Sequence, residues 1–251
     1  MKEMRLMMGM PITVEVLDHS ATEAAIEEIF AYFNYVDGKF STYKETSEIT
    51  HLNQKRLTFY HASSDMKLVF ALAEQTKQET NGYFDIARNG CYDPSGIVKG
   101  WAIYNAAALL RHNGYQNFYV DAGGDVQADG HNAQGEPWRV GIRNPFNLRE
   151  IVKVTSISNL GIATSGTYVR GQHIYNPKHS LPLKSEIVSL TVIGPNIYEA
   201  DRFATAAFAM GTAGISFIER LEGFEGYMID HKGQATLTSG FERFTVHDQI
   251  H

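Results

Sequence analysis

The chain has 251 residues, of which 43% are hydrophobic and 20% are charged, a composition typical of a globular protein with an ample core. Its formal net charge of −6 at pH 7 argues against a nucleic-acid-binding protein, because such proteins normally carry a basic surface. The single cysteine, Cys91, excludes an intramolecular disulfide, and the ten histidines lack the short spacings that favour a zinc site.

The N-terminal segment has a proline and charged residues where a signal peptide would need a continuous apolar run. No stretch elsewhere approaches the roughly 18 apolar residues of a membrane span. We therefore expect a chain without a membrane span that acts in the cytoplasm. If a leader was removed from the chain, the protein acts outside the cytoplasm instead.

The first half of the chain predicts one strand and three long helices. PITVEVLD alternates in strand fashion, and SATEAAIEEIFAYFNYVDGKF predicts an amphipathic helix that begins near residue 20 or 22. A polar loop with a short helical turn follows in STYKETSEITHLNQ. SSDMKLVFALAEQTKQETNG predicts a second helix, capped near residue 63 or 64 and ended by Asn81-Gly82. GIVKGWAIYNAAALLRHNGY predicts a third helix, which stops at Asn113-Gly114.

The second half is richer in strands. NFYVDAGGDVQADG, WRVGIRNP, KVTSISNLGIATSG and EIVSLTVIGP are β-branched and aromatic runs separated by Gly, Asn and Pro. One further helix is expected from Asn196, where Glu199 completes an Asn-x-x-Glu capping box, and the chain closes in a hairpin around Lys232-Gly233. Because helices and strands mix without strict βαβ alternation, we predict an α+β fold rather than a doubly wound sheet.

Asp201 and Thr205 are the first candidate site residues. They stand four apart in the helix predicted after Asn196, so their side chains share one face. Asp201 lies too far inside the helix to act as its cap. Two interpretations remain open from these residues alone: polar side chains on an exposed helix face, or oxygen ligands for Mg²⁺.

Three other stretches carry weaker signals. In YDPSGIVKGWA a Pro-Ser-Gly turn leads into a helix, which creates a generic anion site to which Lys99 could add charge, although a surface lysine is the simpler interpretation. In GIATSGTYVRGQHIYNP, a polar turn of Thr164, Ser165 and Gly166 is expected after a strand, and His173 is either structural or catalytic. Tyr43, in a polar loop, is either an ordinary loop residue or a platform for a planar ring.

The order of the motifs resembles the ApbE family, the FAD:protein FMN transferases, over nearly the whole chain. In chain order these motifs are MGMP, FSTYKETSEITHLN, TNGYFDIA, DPSGIVKGWAI, DAGGDV, GIATSG, HIYNP and ADRFATAAFAMG. The resemblance implies a mixed fold with antiparallel-rich sheets and packed helices, in which FAD lies in a cleft between two halves. It also implies a single domain over residues 1–251, built as one unit or as two intertwined lobes.

The resemblance implies a role for individual residues. Mg²⁺ would lie against the pyrophosphate of FAD, held by the side chains of Asp201 and Thr205 and by the backbone carbonyl of Val98. His173 would be the general base, and Lys99 would help to hold phosphate. The implied flavin and adenosine contacts are Met8, Tyr43, Tyr83, Phe84, Asp85, Ser95, Trp101 and Tyr175.

The implied reaction is transfer of the FMN moiety of FAD to a Thr or Ser hydroxyl of a partner flavoprotein, with release of AMP. Two alternatives stay open: an FAD pyrophosphatase that yields FMN and AMP, and a non-catalytic FAD-binding protein. The chain departs from the family pattern at Asn176, His179 and Ser180, and at Tyr104, where an aspartate is frequent. These departures could alter adenosine contacts or the choice of acceptor, and they leave His179 as a second choice for the base.

Overall fold

The protein is described by a computed structural model that covers residues 1–167, 175–178 and 186–247. The strands are β1 (Lys2–Met7), β2 (Met10–Val16), β3 (Ala87–Arg88), β4 (Cys91–Tyr92), β5 (Phe118–Ala122), β6 (Asp125–Asp129), β7 (Trp138–Asn144), β8 (Asn147–Ile157), β9 (Leu160–Gly166), β10 (Ile187–Gly194), β11 (Glu225–Asp230) and β12 (Ala235–Leu237). The helices are α1 (Glu23–Phe40), α2 (Glu48–Asn53), α3 (Ser64–Glu79), α4 (Ser95–His112), α5 (Ile197–Ala209) and α6 (Ala213–Glu219), with 3₁₀ turns at Phe59–His61 and Phe241–Phe244.

An eight-stranded sheet in the order β1-β2-β5-β6-β9-β10-β11-β12 organises the described residues. Every neighbouring pair in it is antiparallel. Two hairpins lie apart from this sheet: β3 pairs with β4, and β7 pairs with β8. The predicted α+β class is confirmed, because the helices do not alternate with parallel strands.

Two tight turns lie side by side at one end of the sheet. Met8 and Gly9 join β1 to β2 with φ of 52° and 74°, and Gly123 and Gly124 join β5 to β6 with φ of 67° and 100°. Two consecutive residues at positive φ give the turn whose twist matches a two-residue β-hairpin. The Gly123 amide donates to the Pro11 carbonyl at 2.9 Å, which holds the two turns together.

The large sheet separates two apolar cores. Successive side chains of a strand point to opposite faces. Accordingly, Met228 of β11 packs against the helices, whereas its neighbours Tyr227 and Ile229 pack in a second cluster with Trp138 of β7 and Phe241. The first core contains α1, α4 and α5, so these helices cover one face of the sheet and the β7–β8 hairpin covers part of the other.

The helix starts follow the caps expected from the sequence. Thr22 accepts from the Ala25 amide at the start of α1, and Ser63 accepts from the Met66 amide at the start of α3. Both predicted helices are confirmed, as are α4 and the short helix α2. Within the part of the chain that is described, no helix combines the length and the apolarity needed to cross a membrane.

Helix α5 is anchored to the sheet at its first turn. Asn196 accepts from the Glu199 amide at 3.0 Å, as predicted, but the Glu199 carboxylate accepts from Arg202 Nε at 2.8 Å, so the expected reciprocal capping box does not form. Gln127 of β6 accepts from the Ile197 amide at 2.9 Å. A Cβ at Gly161 of β9 would lie 2.1 Å from the Ile197 nitrogen, so the helix start rests directly on the strand.

A further expectation about local structure is wrong, and two elements were not predicted. The predicted polar turn at Thr164, Ser165 and Gly166 is the end of strand β9, because each of these residues pairs with β10. The chain also forms β1 and α6, neither of which the hydrophobic pattern had indicated. The closing hairpin around Lys232-Gly233 is confirmed as the β11–β12 turn.

Candidate active site

A cleft of about 390 Å³ opens beside the two tight turns. Its walls come from elements far apart in sequence: the β1–β2 and β5–β6 turns, the segment before α4, helices α4 and α5, and strands β7 and β9. Eight of the residues predicted from the sequence line it, namely Tyr83, Phe84, Asp85, Ser95, Lys99, Tyr175, Asp201 and Thr205.

Helices α4 and α5 approach each other closely at Asp201. The Gly100 amide donates to Asp201 Oδ2 at 2.7 Å. A Cβ at residue 100 would lie 2.6 Å from the Asp201 Cβ, so the approach requires glycine at this position. Asp201 is only 2% exposed, which excludes its interpretation as a polar residue on an exposed helix face.

Lys99 joins two buried carboxylates. Its Nζ forms an ion pair with Asp125 Oδ2 and lies 3.4 Å from Asp201 Oδ1. The other Asp125 oxygen, Oδ1, accepts from the Thr164 amide at 3.0 Å. Burial raises the pKa of the Asp201 carboxyl, and the Lys99 ammonium opposes that shift while Asp125 adds to it. Two carboxylates face one ammonium, so this group carries a net negative charge, which favours a further cation.

Thr205 stands one turn after Asp201 and lines the same cleft. Its hydroxyl makes a long contact of 3.4 Å with Ser165 Oγ of β9. The side chain also packs near the start of α4, since a Cβ at Gly96 would lie 3.2 Å from Thr205 Cγ2. The Asp201 carboxylate and the Thr205 hydroxyl are therefore two hard oxygen donors on one cleft wall.

These donors fit a Mg²⁺ ion whose remaining ligands are phosphate oxygens of a substrate. Among the described residues, no group of three or more His, Cys, Asp or Glu side chains converges on one point, so the side chains alone do not form a closed metal cage. Mg²⁺ is commonly held by one or two carboxylates together with phosphate oxygens and waters. One carboxylate, one hydroxyl and an excess of negative charge match that pattern.

Aromatic residues form another wall of the cleft. The Tyr175 hydroxyl donates to the Asp85 carbonyl at 2.5 Å, which ties residues 175–178 to the segment after α3. Burial raises the pKa of Tyr175 to about 12, so the hydroxyl stays protonated. Tyr83 lies beneath Lys178, whose Nζ is 4.3 Å from the ring centroid. Asp85 pairs with Lys77 at 2.7 Å.

The other predicted residues that the structure describes do not line the cleft. Trp101 is 6% exposed and packs edge-on against Phe40 with ring centroids 5.6 Å apart. The Val98 side chain is also buried in the first core, whereas Tyr43 is 98% exposed. Met8 lies in the turn beside Gly9, which does line the cleft. His173, and with it His179 and Ser180, lies outside the described residues.

The structure adds cleft residues that the sequence reasoning did not select. Asp121 and Asp125 flank the Gly123-Gly124 turn, and Arg143 reaches the cleft from β7. The signal for the aspartates was present, because DAGGD places two carboxylates on either side of a tight hairpin. No local signal identified Arg143, which depends on where the β7–β8 hairpin packs.

The chain matches one family and several proteins of known name. The model of the ApbE family matches residues 8–92 and 88–228. An FAD:protein FMN transferase of Haemophilus influenzae is 27% identical over a gapped alignment of 272 positions, which covers 81% of this chain and 79% of that protein. The FAD:protein FMN transferase of Salmonella typhimurium is 33% identical over 169 residues, and the match covers 62% of this chain and 48%, about half, of that relative.

Solved structures share the architecture. The flavin transferase ApbE from Vibrio cholerae superposes with a TM-score of 0.86 at 24% identity, covering 97% of this chain and 98% of that one. The ApbE protein from Thermotoga maritima gives a TM-score of 0.87 at 20% identity, covering 98% and 99% of the two chains. At these identities the likeness establishes the fold, which agrees with the mixed architecture expected from the sequence.

Proposed function

The chain belongs to the ApbE family, and we propose on that basis that it transfers the FMN moiety of FAD to a threonine or serine hydroxyl of an acceptor flavoprotein. In this reaction the acceptor oxygen forms a bond to the FMN-side phosphorus, the pyrophosphate P–O bond breaks, and AMP leaves with the bridging oxygen. The observation that carries the proposal is the buried Asp201 carboxylate and the Thr205 hydroxyl on one wall of the cleft, beside Lys99. A diphosphate is the substrate group that such an arrangement suits.

The residues that would hold Mg²⁺ are Asp201, Thr205 and the Val98 carbonyl. Bound there, the ion would supply positive charge to the diphosphate. The protein's own contribution is positional. Gly100 fixes one Asp201 oxygen through its amide, and the Lys99 ammonium favours the ionised carboxylate. Burial raises the pKa of Asp201, and both of these contacts act against that shift, towards the charged form that a hard cation requires.

Substrate contacts are assigned by the resemblance together with the cleft lining. Tyr83, Phe84 and Tyr175 would contact the flavin or adenine rings, and Asp85 and Ser95 would accept or donate hydrogen bonds at the same wall. Met8, Tyr43 and Trp101 remain family-based predictions. We assign the removal of the acceptor hydroxyl proton to His173, since histidine titrates near neutral pH.

Incubation with FAD, MgCl₂ and candidate acceptor proteins tests the proposal, with in-gel flavin fluorescence and AMP as the two readouts. Asp201→Asn should lower AMP formation by at least about 100-fold and Thr205→Val by about 10-fold, because each change removes a proposed Mg²⁺ ligand, and substitution of residues that merely support a ligand already costs about 10–100-fold. Both variants should also need more Mg²⁺ for half-maximal activity. Thr236→Val, an exposed change on β12, is the matched control and should have wild-type activity.

The same experiment separates the alternatives. Stoichiometric FMN and AMP without labelled acceptor would indicate an FAD pyrophosphatase. FAD binding without AMP under any condition would identify a carrier protein and would contradict both enzymatic interpretations.

A further inference from the structure

Arg143 is an exposed cation on the wall of the cleft. It lies near the end of β7, and it lines the cleft together with its neighbours Gly141 and Ile142. The pairing of β7 with β8 shifts at this point: Ile142 faces Lys153, but Arg143 faces Ile151, so β8 has one extra residue between these pairs. Such bulges increase the local twist and re-aim side chains, and they are frequent beside active sites.

Arg143 differs from the other cationic residue of the cleft in that its charge is not paired with a carboxylate by a hydrogen bond or ion pair among the described residues. Lys99 and Arg143 are the two cationic residues of the described lining, and Lys99 is engaged by Asp125 and Asp201. Within residues 1–167, 175–178 and 186–247, the Arg143 guanidinium has no hydrogen bond or ion pair. Its donors are therefore available to a ligand of the cleft.

Asp121 links Arg143 to the Lys99 group. Burial raises the pKa of the Asp121 carboxyl, and the charges of both Arg143 and Lys99 act against that shift. The Asp121 carboxylate is held in place by the Gly124 amide, which donates to Oδ1 at 2.7 Å. Both cations thus act on one fixed carboxylate, and Asp121 and Arg143 line the same cleft as Lys99 and Asp201.

We propose that Arg143 binds the diphosphate of FAD through its guanidinium. This inference rests on the proposed function, which supplies a dinucleotide as the ligand. A guanidinium presents paired N–H donors that match phosphate oxygens, and its charge offsets the carboxylates of the cleft, which would otherwise repel a diphosphate. Lys99 cannot take this role alone because its ammonium already holds two aspartates.

Binding measurements with two flavins test the assignment. FAD carries the diphosphate and riboflavin does not, so the two ligands separate a phosphate contact from a general disturbance of the site. Arg143→Gln should raise the dissociation constant for FAD about 10-fold, because a charge-assisted hydrogen bond is lost, and should leave that for riboflavin within about twofold. Arg143→Lys should retain part of the FAD affinity. Flavin fluorescence titrations at constant Mg²⁺ measure all these values.

Arg149→Gln is the control, since Arg149 is exposed on β8 of the same hairpin but does not line the cleft. It should bind both flavins as the wild type does. Raising the salt concentration should weaken FAD binding more in the wild type than in Arg143→Gln, because fewer charges contact the ligand in the variant.

Several results would overturn the assignment: unchanged FAD affinity in Arg143→Gln, an equal loss of affinity for riboflavin, or a wild-type protein that does not bind FAD. The titrations need no acceptor and no turnover. A wild-type protein that binds FAD but never forms AMP would therefore contradict the proposed transferase while the comparison of flavins still decides the role of Arg143.

Discussion

Replacement of Gly100 by alanine should damage both the stability of the protein and its active site. The added Cβ would lie 2.6 Å from the Asp201 Cβ, 2.9 Å from Asp201 Oδ2 and 2.9 Å from the Ile197 carbonyl oxygen. Carbon atoms in favourable contact are about 3.5–4.0 Å apart, so α4 and α5 must separate or Asp201 must move. These atoms cannot easily move aside, because the Asp201 Cβ is attached directly to the backbone of α5 and the Ile197 carbonyl oxygen is part of that backbone.

The expected change in the free energy of unfolding follows from two opposing effects. Overpacking in a well-packed interior typically costs about 1–3 kcal/mol. Alanine is favoured over glycine inside a helix by about 1 kcal/mol. We therefore expect Gly100→Ala to lower the free energy of unfolding by up to about 2 kcal/mol. Displacement of Asp201 should also reduce Mg²⁺-dependent AMP formation by at least about 10-fold, since catalytic geometry tolerates little misplacement.

Gly38 provides the matched control. It also lies inside a helix, α1, and a Cβ there would have nothing within 4 Å. Gly38→Ala should therefore raise the free energy of unfolding by about 0.5–1 kcal/mol and leave activity unchanged. Urea unfolding of the wild type, Gly100→Ala and Gly38→Ala measures both changes in the free energy of unfolding. Equal m-values for the three proteins would show that the substitutions change stability and leave the unfolding transition otherwise the same. If Gly100→Ala is as stable and as active as Gly38→Ala, the close approach of α4 to Asp201 is refuted.

Two further changes test contacts away from the cleft. Burial would raise the pKa of Glu48, but its hydrogen bonds with Lys39 and Ser63 outweigh burial and hold the pKa below its ordinary value. The ionised Glu48 therefore stabilises the folded protein fully above the pKa of the unfolded state, and this stabilisation is lost as the pH falls through the folded-state pKa. Glu48→Gln should cost about 1–2 kcal/mol at pH 7 and less at pH 3.5, and an equal cost at both values would contradict this assignment. The Asn53 side chain accepts from the Tyr92 amide at 2.7 Å and donates to the Tyr92 carbonyl at 2.9 Å. Asn53→Leu should speed hydrogen exchange of that amide at least about 10-fold, and unchanged exchange would show that the hairpin does not depend on Asn53.

The helix starts were predictable because a cap is a local interaction. Thr22 and Ser63 each bond an amide three residues later, so the signal lies within four consecutive residues. The same reasoning failed in part at Glu199, where Arg202 competes for the carboxylate. It also failed at residues 164–166, where pairing with β10 overrides a turn-like composition.

The sequence could predict which residues of one helix share a face, but not which residues from separate elements of the candidate site meet. Spacing put Asp201 and Thr205 on one helix face, and the structure brings that face to the cleft. Spacing could not reveal that Lys99 would meet Asp125, because that contact depends on how α4 packs on the β5–β6 turn. Burial of Trp101 against Phe40 likewise results from the packing of α4 on α1.

The anchoring of α5 separates two parts of the protein that could change independently. The position of Asp201 and Thr205 is set by Gln127 of β6 and Gly161 of β9, which contact the first residue of the helix. Residues 176–178, the described part of the segment where the sequence departs from the family pattern, lie between β9 and β10 and take no part in these contacts. Substitutions at these positions can therefore accumulate without shifting the side-chain oxygens of Asp201 and Thr205. Under the proposed function, a lineage can in this way acquire a different acceptor while it keeps the same phosphate chemistry.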